Sequence, residues 1–128
     1  MRKFALSIAA GCVLMILPSA AQAESASFRA CMAAIDMHAF TNSQRLDCAT
    51  RDMDRADGAL NRTYRRIKVS LPPARQRALV LWERRWIDHR RATCALENMG
   101  EPPLAEFNRM TCLVDETDAQ TRRLKAMW

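Results

Sequence analysis

Residues 46–67 read LDCATRDMDRADGALNRTYRRI. Leu46, Ala49, Met53, Ala56, Leu60, Thr63 and Ile67 recur at alternating steps of three and four, which puts them on one stripe of a helix. Tyr64 widens the stripe. The pattern predicts a helix of about 30 residues. Thr41, Asn42 or Ser43 can cap its start. Pro72-Pro73 stops it near Leu71, because proline lacks a donor and restricts the residue before it.

The same rhythm continues on both sides. Downstream, Leu79, Trp82, Trp86, then His89 or Arg90, then Thr93 or Cys94 form a second stripe. It predicts a helix from Pro73 or Ala74 to about Met99, with Gly100 as its stop. Phe107, Met110, Val114, Thr117, Thr121 and Leu124 predict a third helix from about Leu104 to Lys125. Upstream, Phe28, Met32 and Ile35 predict a short helix within residues 24–40, with Ser27 as its candidate cap. No stretch alternates as a strand does. Short joints between long helices imply antiparallel neighbours. The expected fold is all-α: a three-helix antiparallel bundle with a short N-terminal helix and two disulfides.

The chain has 128 residues, enough for one core. Residues 1–23 have the order of a secretory signal peptide. Arg2 and Lys3 precede an uncharged run from Phe4 to Leu17, and Ala21-Gln22-Ala23 offers small residues at the cleavage point. An uncleaved anchor is disfavoured because the run is short. Ala10-Gly11-Cys12 faintly matches a lipoprotein box, but the apolar run continues past Cys12, so lipid anchoring there is not expected. The expected domain is 24–128, with no stable membrane span after cleavage, in a bacterial periplasm or secreted.

That domain keeps Cys31, Cys48, Cys94 and Cys112. An even count in a small exported domain indicates a disulfide framework. Four cysteines allow three pairings. Pairing near neighbours, Cys31 with Cys48 and Cys94 with Cys112, is favoured, though sequence alone does not choose. Each loop of about 18 residues would stabilise by about 3 kcal/mol. Zinc is disfavoured: no C-x-x-C pair occurs, and His38 and His89 lack ligand spacing to any cysteine. No cofactor or metal is called for.

Charge is uneven. Residues 62–91 carry ten basic side chains against Glu83 and Asp88, a net of +8. Residues 24–61 and 92–128 each net −2. Arg62, Arg65, Arg66, Arg84, Arg85 and Arg91 form the candidate basic face. It reads as a solvated helix surface or as a surface for an anionic envelope component. Nucleic acid is a poor fit for an exported protein.

Catalytic sets are missing. Cysteine chemistry needs a free thiol beside His38 or His89, and pairing removes the thiols. No G-x-S-x-G elbow exists. Asp52 with Asp54, and Asp115 with Glu116, turn too far around a helix to share one site, and are read as surface charges. Asn61-Arg62-Thr63 is a glycosylation sequon, relevant only in a eukaryotic secretory route. The chain reads as a non-enzyme.

Three segments carry a family resemblance. Ala56-Asp57-Gly58-Ala59-Leu60-Asn61-Arg62-Thr63-Tyr64 resembles A-D-x-x-L-N-x-x-Y. Glu83 to Cys94 resembles Q-R-x-W-I-x-x-R-D-x-x-C. Cys112, Thr117 and Leu124 resemble C-x4-T-x6-L. In this order they resemble the LprI-type lysozyme-inhibitor family of small exported bacterial proteins. The chain departs at Glu83 (usually Gln), Arg91 (usually Asp) and Gln120 (usually Arg).

The resemblance implies a helical envelope domain and, for one branch, inhibition of lysozyme. On the residues alone, Leu60, Tyr64, Trp86 and Ile87 read as core. Asp57 or Asn61 can reach Arg90, with Tyr64 and Trp86 nearby, as a polar network that is either structural or a partner site. Animal C-type lysozymes are strongly basic, so the +8 segment opposes their approach. Docking through Asp47–Asp57 or Asp115–Asp118 would avoid it. The expected function is occlusion of a lysozyme or related wall-cutting enzyme. The alternative is a structural or stress-related module holding an anionic envelope component.

Overall fold

The computed structural model describes residues 24–95 and 101–128. The signal-peptide reading and Cys12 fall outside them, as do the stretch to Met99 and the Gly100 stop. The described residues form α1 (Ala26–Ala33), α2 (Asn42–Ser70), α3 (Pro73–Ala95) and α4 (Leu104–Met127).

Local chemistry explains the boundaries. Thr41 caps α2 in a capping box: its hydroxyl accepts from Gln44 N, and the Gln44 side chain accepts from Thr41 N at 2.9 Å. Both bonds satisfy amides that a helix start otherwise leaves open. Leu71 is already extended before Pro72, as a residue preceding proline must be. The cap of α1 is Ser25 and not the expected Ser27: the Ser25 hydroxyl accepts from Phe28 N at 3.0 Å. Ser27 lies inside the helix and turns its hydroxyl to Asp52.

Contacts fix the topology. Cys48 and Ala49 at the start of α2 pack with Phe107 and Met110 at the start of α4. Leu60, further along α2, packs with Leu124 near the end of α4. These two helices therefore run parallel. Glu83 meets Gln120, and Arg90 meets Thr117, so α3 runs antiparallel to both. The longest interface is between α2 and α4, while α3 lies more lightly against the pair.

The core is divided. One part holds Leu60, Leu79, Trp86 and Leu124, with Tyr64, Ile67, Trp82 and Trp128 around them. The other holds Phe28, Cys48 and Ala49, with Met32, Phe107 and Met110. Between them the interior is mixed: Asp52, Thr117, Gln120 and Thr121 form a polar belt, buried together with Ala56 and Val114. The stripe of α2 differs in one register position, since Asp52 is buried where Met53 was expected and Met53 is half-buried. On α3, Arg90 and Cys94 turn inward, while His89 and Thr93 are exposed. Disulfides join Cys31 to Cys48 and Cys94 to Cys112. The first ties α1 to α2 and the second ties the end of α3 to α4.

Leu79 is fully buried, whereas Leu81 on the same helix is 54% exposed. Leu79→Ala is expected to cost about 2–5 kcal/mol in urea unfolding of the oxidised protein. Leu81→Ala should stay within about 0.5 kcal/mol of the parent. Equal effects would contradict this packing.

Candidate functional site

The N-terminal ends of α2 and α4 converge on α1 and enclose a cleft of about 220 Å³. Four acids line it: Glu24, Asp52, Asp115 and Asp118, with Phe28, Phe107 and Val114 as apolar walls. The two acidic segments that lie far apart in sequence, 47–57 and 115–118, are thus brought side by side. The parallel course of α2 and α4 does this.

One arginine organises the acids. Arg55 donates from Nε to Asp52 Oδ1 at 2.5 Å and forks onto Asp118 with bonds of 3.2 and 2.7 Å. A planar guanidinium suits such a fork. Asp52 also accepts from Ser25 Oγ at 2.5 Å and Ser27 Oγ at 3.2 Å. Burial alone pushes the Asp52 carboxyl up, but hydrogen bonds from Arg55, Ser25 and Ser27 and the Arg55 charge outweigh it and hold it below its ordinary value. Hydrogen bonds to Asp118 and then Asp52 push Arg55 further up.

Asp115 is the opposite case. Burial raises its pKa, and Asp118, Glu116 and Asp52 raise it further, against a small relief from Arg122. Among the described residues it forms no salt bridge. Its carboxylate is available to a cation from outside.

The network expected around Arg90 lies at the junction of α2, α3 and α4. Arg90 NH1 donates to Thr117 Oγ1 at 2.8 Å and approaches Asp57 Oδ1 at 3.5 Å. Its guanidinium lies over the Trp86 ring, 4.6 Å from the centroid, a cation–π arrangement. Trp86 is buried, and Arg90 is half-buried. Asn61 is exposed, and among the described residues Arg90 bonds to Asp57 and Thr117 with no hydrogen bond to Asn61. Tyr64 is half-buried against the Leu60 core, and burial, then the Glu83 charge, raises its hydroxyl pKa. Ile87, expected in the core, is 36% exposed.

The basic residues Arg62, Arg65, Arg66, Arg84, Arg85 and Arg91 are all exposed. Arg91 stands 3.9 Å from Asp88 on open surface. The histidines are exposed as well, and among the described residues no group of three or more His, Cys, Asp or Glu is placed to hold a metal.

Asp52, read above as a surface charge, is 5% exposed. The signal that finds it is its place: three residues after Ala49 and four before Ala56, both buried. Asp115, also read as surface, is half-buried. Its partner across the cleft, Asp52, lies more than 60 residues away in sequence, which spacing on one helix does not reveal.

These opposite pKa directions give opposite linkage. Asp52, lowered on folding, stabilises above the ordinary carboxylate range, and this is lost as pH falls through its folded value. Asp115, raised on folding, costs stability at neutral pH, and that cost fades as pH falls to about 4. Asp52→Asn should therefore destabilise by about 1–3 kcal/mol at neutral pH. Asp115→Asn should stabilise there, with the gain vanishing near pH 4. Urea unfolding across pH checks both signs, and a neutral-pH loss on Asp115→Asn would contradict the cleft described here.

Comparison with known proteins adds the family. No curated protein and no solved structure matches the chain. A family model described as lysozyme inhibitor LprI matches residues 31–124. The match begins at Cys31, spans both disulfides and ends at the buried core residue Leu124. It covers Arg55 with Asp52 and Asp118, the Arg90 junction and both core regions apart from Phe28 and Trp128, and on that evidence the chain belongs to the LprI lysozyme-inhibitor family.

Proposed function

We propose that this protein is an exported inhibitor that binds and occludes a lysozyme or related wall-cutting hydrolase without catalysis. The observation that carries this reading is the acidic, aromatic-walled cleft between α1, α2 and α4. A basic hydrolase meets complementary charge there, while the +8 segment would repel it. Asp115 offers a carboxylate whose charge the fold itself disfavours. A lysine or arginine of the partner relieves that cost on binding. The family supplies the target class, and the disulfides accord with an oxidising compartment reached through a signal peptide at 1–23.

A second reading rests on the exposed arginines of α2 and α3. They suit an anionic envelope component, and this activity needs no lysozyme.

The test of the first reading is inhibition of a C-type and a G-type lysozyme by the oxidised protein, at low and physiological salt. Stoichiometric inhibition that survives physiological salt is expected for at least one. Asp115→Lys should slow association several-fold while the fold stays intact. No inhibition of either enzyme would overturn the reading.

A further inference from the structure

The joint between α2 and α3 carries a groove distinct from the acidic cleft. Its volume is about 470 Å³, and Lys68, Gln76, Arg77, Val80 and Leu81 line it with Pro73. Lys68 lies near the end of α2 and Arg77 in the second turn of α3. Among the described residues neither forms a salt bridge. The first turn of α3 holds no acid, and across the joint the positive end of its dipole adjoins the negative end of α2, so the field of the corner comes from the side-chain cations. Apolar surface sits beside these charges: Leu81 is 54% exposed and Val69, next to Lys68, is 80% exposed.

We infer that this corner docks the protein on the surface of an anionic phospholipid bilayer. These two cations, free of salt bridges among the described residues, would meet lipid phosphates, and Leu81 and Val69 would enter the acyl boundary beside them. The apolar component favours a bilayer over a soluble anion, because a free phosphate or polyanion gains nothing from Leu81. Geometry supports the orientation. Lys68 follows Asp52 by sixteen residues on one helix, so the corner lies roughly 24 Å along α2 from the acidic cleft. A protein seated by this corner keeps its acids away from the anionic surface. The inference deepens the second reading above, narrowing its anionic component to lipid, and stands apart from lysozyme inhibition.

The experiment is co-sedimentation of the exported, oxidised protein with phosphatidylglycerol–phosphatidylcholine vesicles and with pure phosphatidylcholine vesicles. A soluble polyphosphate is titrated in parallel. Binding to the anionic vesicles alone is expected. Lys68→Gln and Arg77→Gln should each weaken it about fivefold. Leu81→Ser should weaken it about tenfold while leaving polyphosphate binding unchanged. These side chains are exposed or at the groove edge, so circular dichroism and the melting temperature should match the parent. Absence of binding to anionic vesicles, or Leu81→Ser and Val69→Ser proteins that bind them like the parent, would overturn the inference. Polyphosphate binding without vesicle binding would sink the lipid assignment and leave the basic-face reading standing. Binding to neither would remove both.

Discussion

The guanidinium of Arg55, held between Asp52 and Asp118, is the interaction around which this bundle is arranged. Asp52 is nearly inaccessible to water and must have partners, because an isolated buried carboxylate is costly. Arg55 and two serines of the N-terminal segment supply them. One carboxylate and one arginine thus connect α1, α2 and α4. Against a well-packed apolar replacement such a buried set adds little net stability. Its effect here is on register. Sliding α4 along α2 would separate Asp118 from the fork. The polar belt also divides the core in two, and each half is closed by a disulfide or by aromatic packing: Cys31–Cys48 beside Phe28 and Phe107, and Trp82 against Trp128.

The third helix is fastened by different means. Arg90 and Glu83 reach from α3 to Thr117 and Gln120 of α4, one helical turn apart on α4. This pairing brings together two of the positions at which the chain departs from the motif it resembles, Glu83 and Gln120. Glu83, half-buried on α3, and Gln120, buried on α4, face each other, with Gln120 donating to Glu83 at 2.9 Å. Burial accordingly raises the Glu83 pKa, with Gln120 and Arg90 offering partial relief. The third departure, Arg91, lies on open surface beside Asp88 and needs no such partner.

Much of this architecture is legible in the sequence because it depends on local rules. Proline pairs, caps and three-four periodicity locate the long helices, and near-neighbour cysteines suggest the bridges that the structure contains. The interior polar belt is where this reading fails. Periodicity looks for apolar residues, so Asp52 on the buried stripe passes for surface charge and Met53 takes its place. Thr117 and Thr121 fit the stripe without revealing that they are interior polar groups; Gln120 does not signal itself at all. The cleft is harder still. It exists because α2 and α4 run parallel, and that relation is fixed by contacts between residues about sixty positions apart. The placement of Ser25 as both helix cap and hydrogen-bond donor to Asp52 depends on a second contact across 27 positions.

The energetic contrast between Asp52 and Asp118 on one side and Asp115 on the other bears on what the cleft is for. Acids that serve only the fold end up neutralised, as the first two are by Arg55. Asp115 shares their surroundings and is repelled by both, together with Glu116. A packed bundle gains nothing by retaining it in ionised form. An acid that weakens the free protein and is eased by an incoming cation makes sense as part of a contact surface. The basic corner at the joint of α2 and α3 shows the same pattern with the sign reversed, in Lys68 and Arg77 beside exposed leucine and valine. Stability disfavours both arrangements: clustered like charges repel, and exposed apolar side chains forfeit burial. Their separation along α2, acids toward its start and cations toward its end, gives a chain of net charge +6 an acidic end and a basic end. Under the two proposals above, a cationic partner and an anionic surface are engaged at opposite ends of α2, and neither approaches the charge that repels it.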